Sequence, residues 1–226
     1  MKNLRWISSL LFIFLAGTSC LDENFDDIRL DDSGFWEPVV AIPLGNGRLD
    51  INDFFAGYIL PDSIPGDTNR VFFDDEDYIL ADHQIEAEYS FDYSVYHYLD
   101  SPEQVRYAKF FLRLENYYPT ACSMQIYLED ASGQAVDSIF DAPPTAAPAE
   151  TGDDGQVIEP SSQLFSVDLD SADVQTLFDG SRIRAVGKLI LWEEKQEDVY
   201  IYSSQFIHLT VFMRLGLRLK EEDLDV

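Results

Sequence analysis

Over much of the chain, apolar and polar residues alternate with a period of two. Ile85, Ala87, Tyr89, Phe91, Tyr93 and Val95 fall on one side of an extended backbone, with Gln84, Glu86, Glu88, Ser90, Asp92 and Ser94 on the other. Successive strand side chains point to opposite faces, so this stretch predicts an antiparallel strand with one buried side. The pattern recurs where Ala108, Phe110, Leu112 and Leu114 oppose Tyr107, Lys109, Phe111 and Arg113, and where Met124, Ile126 and Leu128 oppose Gln125, Tyr127 and Glu129. It recurs again where Ile183, Ala185, Gly187, Leu189 and Leu191 oppose Arg182, Arg184, Val186 and Lys188.

Residues 199–220 exceed one strand of the ordinary five or six residues, so a break is expected near Ser203-Ser204 or at Gly216. There Tyr200, Tyr202, Phe206 and Phe212 share one face and Ile201, Ile207, Leu209 and Val211 the other. Two apolar faces predict a strand buried on both sides, or one whose second face meets a partner. Turn chemistry at Gly45-Asn46-Gly47 and in 74–77, 130–133 and 193–198 separates the strands. Ser171 is placed to cap a short helix reaching Phe178, with Asp173 near its positive end and Gly180 closing it. Asn52-Asp53-Phe54-Phe55 suggests another helical turn. Strands at regular spacing with one or two short helices predict an all-β protein, an antiparallel β-sandwich or open barrel. Residues 142–160 are Pro/Ala-rich and then acidic, which suits an interdomain linker or a long exposed loop. The loop is preferred, because a domain of some 65 residues after a linker would hold few strands. Residues 35–226 then form a single domain.

The first residues change the picture from fold to address. Lys2 and Arg5 precede an apolar run, residues 6–16, and the small residues Gly17-Thr18-Ser19 lead to Cys20. This is the plan of a secretory signal over residues 1–19, too short for a spanning helix of roughly 20 apolar residues. Cys20 resembles the lipobox cysteine of bacterial lipoproteins, which is acylated and becomes the mature N-terminus. The usual aliphatic residue three before the cysteine is replaced by Gly17, and Gly17 and Ser19 would also suit an ordinary signal peptidase. The acidic stretch 20–34 reads as a solvated tether, and it resembles the export signal of Bacteroidota surface lipoproteins. The implied location is the outer membrane, lipid-anchored, on the cell surface rather than the periplasmic side.

Charge sharpens the exclusions. The chain carries 42 acidic and 15 basic residues, a formal net charge of −27. Nucleic acid is excluded as a partner, because phosphate binding needs Lys and Arg to release counterions. Asp outnumbers Glu and Lys is rare, a bias that suits saline surroundings, where salt screens self-repulsion over about 10 Å at 0.1 M. Hydrophobic residues at 46% supply a real core, and two cysteines exclude a disulfide framework.

Trp36-Glu-Pro-Val-Val-Ala-Ile-Pro-Leu-Gly, then Leu49-Asp-Ile-Asn-Asp-Phe-Phe, resembles the opening of a Bacteroidota outer-membrane or surface lipoprotein family. So does the central stretch beginning Leu112-Arg-Leu-Glu-Asn-Tyr-Tyr-Pro, where Asn116 and Pro119 would bend the chain between two strands. That strand–Asn–Pro pattern is also similar to the β-sandwich of the late-embryogenesis type 2 family. The resemblance implies fold and address, and no activity transfers with it.

No nucleophile elbow, phosphate loop, zinc-protease helix or dinucleotide fingerprint is present, and no cofactor is expected. His83, His97 and His208 stand singly, and His208 reads as a hydrogen-bonded structural histidine. Cys122 reads as a small core residue. Asp74, Asp75 and Asp77, and Asp153 with Asp154, offer the hard oxygens calcium prefers, but without a calcium-loop spacing they read as solvated turns. Asp62-Ser63-Ile64, Asp137-Ser138-Ile139 and Asp170-Ser171-Ala172 resemble the Bacteroidota O-glycosylation sequon, with Ser171 also the expected helix cap. The tyrosines suit either a core or sugar stacking, and a core is preferred. The expected role is non-enzymatic: an accessory or structural subunit of an outer-membrane assembly, bound to the membrane by its lipid and to an outer-membrane protein. A glycan-binding module of an uptake system is the alternative.

Overall fold

The computed structural model describes residues 35–54, 70–73, 84–95, 99–153, 156–190, 199–202 and 204–220. Its strands are β1 (Phe35–Trp36), β2 (Val39–Asp50), β3 (Arg70–Phe73), β4 (Gln84–Asp92), β5 (Val105–Asn116), β6 (Ala121–Glu129), β7 (Ala135–Ser138), β8 (Thr145–Ala146), β9 (Glu150–Thr151), β10 (Val157–Glu159), β11 (Ser161–Leu169), β12 (Arg182–Ile190), β13 (Val199–Tyr202), β14 (Phe206–Leu217) and β15 (Leu219–Lys220). Two short helices, α1 (Ile51–Phe54) and α2 (Ser171–Asp179), interrupt them. Val39–Arg218 form one compact unit; the described part of a second unit is the two-stranded β1–β15 ladder.

Two antiparallel sheets build the main unit. One has the strand order β11-β5-β14-β2, and the other runs β4-β12-β6 with β7 and β8 both against β6. The sheets are not closed on each other, so the architecture is a sandwich and not a barrel. Each inner face carries the apolar half of an alternating strand: Phe110, Leu112 and Leu114 of β5, Leu209 and Val211 of β14, Met124 and Ile126 of β6, and Ile183 and Leu189 of β12 are all buried. Removing each such side chain from water contributes about 1.5–3 kcal/mol.

The alternation in β4, β5 and β12 falls as the sequence predicts, with Glu86, Glu88, Ser90 and Asp92 exposed opposite buried Ile85 and Ala87. The long final segment breaks at 203–205, between β13 and β14. Near Gly216 the strand runs on with a register shift. The break separates Tyr202, which is buried, from Phe206, so these two aromatics do not lie on one strand face. The 130–133 turn forms as expected: the Asp130 carboxylate accepts from the Ser132 hydroxyl and backbone and from the Gln134 backbone, and Gly133 has a φ of 79°. Those bonds hold the Asp130 pKa below the usual carboxylate range, the Ser132 hydroxyl first.

Gly45-Asn46-Gly47 is not a turn. It lies inside β2, paired with Val211, Thr210 and Leu209 of β14. The glycines are there for a close approach between facing sheet edges. A Cβ on Gly45 would come within 2.3 Å of the Phe91 ring, and one on Gly47 within 2.4 Å of the Tyr89 ring. Gly47→Val is therefore expected to cost about 1–3 kcal/mol through overpacking, read as a lower denaturation midpoint at unchanged urea slope. A cost near zero would mean that Tyr89 swings away freely.

Two further expectations change. Asp170, not Ser171, caps α2: its carboxylate accepts from Ala172 N and Asp173 N, while Asp173 returns a bond from the Asp170 N–H. A carboxylate adds charge at the positive helix end that a hydroxyl lacks. The Pro/Ala-rich stretch is only partly an exposed loop. Ala146 and Ala149 are buried, β8 pairs with β6, and the Met124 N–H donates to the Pro144 carbonyl. Small side chains let this segment lie against β6, whose outward-facing Gln125 is buried and donates to the Phe140 carbonyl. The remainder forms the β9–β10 hairpin.

Candidate functional site

The outer faces of the two sheets carry their cations differently. On the β4-β12-β6 sheet the three basic residues of β12 are each matched by acids on neighbouring strands. Arg182 bonds Asp92 at 3.0 Å, Lys188 pairs with Glu86, and Arg184 bonds Glu88 at 3.1 Å and Glu129 at 2.5 Å. The Arg184 guanidinium also sits 4.7 Å from the Tyr127 ring centre. That face is closed by its own ion pairs.

The outer face of the β11-β5-β14-β2 sheet is closed by rings instead. Phe111 of β5 and Phe212 of β14 are paired across the ladder and stack at 4.7 Å with planes 3° apart. At one end of the sheet Tyr117 and Phe206 stack at 4.2 Å. The Arg48 guanidinium lies 3.8 Å from the Phe206 ring centre, and Arg214 lies 5.8 Å from that of Phe111. β14 runs between β5 and β2, so Tyr117 and Arg48 reach Phe206 from the two sides of β14. Lys109 reaches Asp168 at 3.3 Å, and His208 Nδ1 lies 3.1 Å from Glu115 Oε2. Arg48, Arg113 and Arg214 are exposed and have no ion-pair partner among the described residues. Exposed Leu164, Tyr107 and Val39 continue the same face toward its margins, with the Tyr107 ring lying against Gly216.

This arrangement answers the question raised by the two apolar faces of 206–217. The inner set is core. The outer set is half-buried, because its rings cover one another while their edges meet solvent. Aromatic and arginine side chains with little lysine are the residues enriched where proteins bind each other. Tyr93 and Tyr118 are buried, and Tyr117 gives one ring face to Phe206. Tyr96 and Tyr98 lie outside the described residues.

The other sequence-derived sites are scattered. Ser138, on β7, and Ser171, in the first turn of α2, are both exposed and far apart in topology. Asp153 is exposed in the β9–β10 turn. Cys20, Ser63, Asp74, Asp75, Asp77, Asp154, His83 and His97 lie outside the described residues, as do the signal segment and the tether. No group of three or more His, Cys, Asp or Glu that could hold a metal occurs among the described residues. His208 is hydrogen-bonded as expected, although on the outer face. Arg48, Arg113 and Arg214 escaped the sequence reading. Their signal was the second phase of the alternation, Lys109-x-Phe111-x-Arg113 and Phe206-x-His208-x-Thr210-x-Phe212-x-Arg214, which places rings and cations together on the side away from the core.

Cys122 is fully buried, and burial pushes its pKa up to about 12. The thiolate is the reactive form, so the folded chain is expected to leave this thiol unmodified by iodoacetamide at pH 8. Modification should follow unfolding in urea; labelling at a free-cysteine rate without denaturant would contradict the packing.

No protein-family model and no curated protein matches the chain. Solved structures with partial likeness include a secreted protein from Parabacteroides distasonis, at 12% identity and TM-score 0.38 over 59% of this chain and 38% of that one. The K1 adhesin domain of Lys-gingipain from Porphyromonas gingivalis overlaps at 10% identity and TM-score 0.30, covering 78% of this chain and 97% of the other. A carbohydrate-binding module of the β-sandwich superfamily overlaps at 11% identity and TM-score 0.31, over 88% and 61%. The chain thus spans well under half of the P. distasonis protein. Overlap at these scores leaves function to the chain's own residues.

Proposed function

We propose that this chain is a non-enzymatic lipoprotein of the bacterial envelope, anchored through Cys20. Its β-sandwich acts as a binding subunit of an outer-membrane assembly, on the cell-surface side. The observation that carries this reading is the outer face of the β11-β5-β14-β2 sheet, where stacked rings and arginines meet solvent beside Leu164. A protein surface supplies both apolar contact and acceptors for Arg48, Arg113 and Arg214, which have no ion-pair partner among the described residues. The leader 1–19 and the acidic tether support the address. The glycan-binding alternative draws on the tyrosine supply, but Tyr93, Tyr118 and Tyr202 are buried.

The test is affinity purification of the tagged protein from detergent-solubilised outer membrane, beside Leu164→Glu. Leu164 is 52% exposed, so its replacement should leave the fold intact. A stoichiometric outer-membrane protein retained by the wild type and lost from the variant is the expected result. A solitary lipoprotein would overturn the proposal.

A further inference from the structure

The docking face also has a charge, and that charge specifies a partner. Four of the 15 basic residues of a chain with net charge −27 project from this one sheet face: Arg48 of β2, Lys109 and Arg113 of β5, and Arg214 of β14. Lys109 is partnered by Asp168, but the three arginines are exposed with no carboxylate partner among the described residues. Such an arrangement has a cost in an acidic protein, where any nearby carboxylate could have served them as Asp92, Glu88 and Glu86 serve β12.

Geometry adds direction to the charge. Phe206, itself stacked with Tyr117, has the Arg48 Cζ 3.8 Å from its ring centre. A guanidinium presents a fork of N–H donors that matches a carboxylate bidentately. Arg214 lies six residues along the strand from His208, the residue opposite Arg48, a separation of about 20 Å at the rise of an antiparallel strand. Arg113 stands between them, on the strand beside β14.

Resting on the docking reading, we infer that this face binds an acidic polypeptide surface of the partner, with Arg48, Arg113 and Arg214 taking its carboxylates. A polypeptide fits better than an anionic glycan, because Leu164 and Val39 at the margins call for apolar complement that a polyanionic sugar does not offer. Association is electrostatically steered toward this one face, because the rest of the chain repels acids.

The probe is fluorescein-labelled poly-L-glutamate, titrated with the purified full chain and followed by anisotropy at about 20 mM and 300 mM salt, with polygalacturonate as the glycan counterpart. Binding at low salt, weakened tenfold or more by Arg48→Gln with Arg214→Gln and by the higher salt, is expected. Polygalacturonate bound as tightly as poly-L-glutamate would reassign the face to a glycan. Absence of binding to both, or binding unchanged in the double variant, would overturn the proposal. So would a concentration-dependent dimer in sedimentation that the double variant abolishes, since the occupant would then be a second copy. Should the double variant fail to fold, Arg113→Gln, which touches neither ring pair, is expected to weaken binding about threefold. The two proposals fail separately. A membrane partner lost from Leu164→Glu but retained by Arg48→Gln/Arg214→Gln would keep the docking face and remove its acidic preference; no partner at all would remove both.

Discussion

Replacing Arg184 with leucine is expected to destabilise the protein by about 3–5 kcal/mol, because it strands a buried carboxylate. The Glu129 side chain is only 6% exposed and receives the Arg184 Nε bond at 2.5 Å, while Arg184 itself is 24% exposed. Its other acid, Glu88, is 61% exposed and hydrated, so Glu88→Gln should cost less than about 1 kcal/mol. The distinction is between desolvated and solvated partners on one guanidinium. Arg184→Leu with Glu129→Leu should recover most of the loss, since an apolar pair of similar volume often matches a buried ion pair. Urea denaturation of both variants, read at constant slope, checks this. A single variant losing under 1 kcal/mol would mean that water reaches Glu129. The bond to Glu129 raises the Arg184 pKa above its ordinary value, ahead of the Coulombic effect of Glu88. Stability from a raised pKa is fully present below the unfolded value and is lost only as pH rises through the folded one. Both lie far above neutrality, so the contribution of Arg184 itself should be flat from pH 6 to 9.

That ion pair shows why some of the molecule was legible from residue order and some was not. Alternation in β4, β5 and β12 was readable because one side of each faces solvent or ion-paired surface and the other faces core. β6 was harder: Gln125 and Glu129 hold polar positions in the alternation yet are buried, because the segment after β7 and the side chain of Arg184 cover them. Covers of that kind come from distant chain, and no local pattern encodes them. Gly45-Asn46-Gly47 failed for a related reason. Its turn chemistry is real, but rings 42 to 46 residues away required the missing side chains. In α2 the helix was readable and its cap was displaced by one residue, where two capping types, Asp170 and Ser171, compete side by side.

The candidate face was half legible. Two apolar phases in the last strand signalled a second surface, but the pairing of Phe111 with Phe212, and of Arg48 with Phe206, depends on strand order. Nothing in the sequence states that β14 lies between β5 and β2. The proposed address and lipidation rest on residues 1–34, which lie outside the described residues.

The Asn-x-x-Pro bend was legible as a bend, and the structure shows why asparagine stands there. Asn116 is fully buried; its Nδ2 donates to the Thr120 carbonyl at 2.7 Å and the Ala147 carbonyl at 2.9 Å, and its Oδ1 accepts from the Tyr118 N–H at 2.9 Å. One side chain thus ties the end of β5, the bend and the Pro/Ala-rich segment together. Beside it Tyr118 is buried edge-on to Phe54, and burial raises its pKa well above the ordinary phenol value. Asn116→Ala leaves three backbone groups unpaired, each costing about 1–3 kcal/mol before water enters, so a loss of about 3 kcal/mol or more is expected. Asn116→Asp should be worse at neutral pH although it keeps the shape, because a carboxylate oxygen would face two carbonyl oxygens. Burial and those carbonyls favour the protonated form, raising its folded pKa above the unfolded value near 3.9. The variant should therefore sit closest to wild type below pH 4 and fall away as pH rises through the folded pKa. Thermal melts of both proteins from pH 4 to 8 measure that gap. A gap independent of pH would mean that the introduced carboxyl has found water, and that the bend opens where the wild type holds it shut.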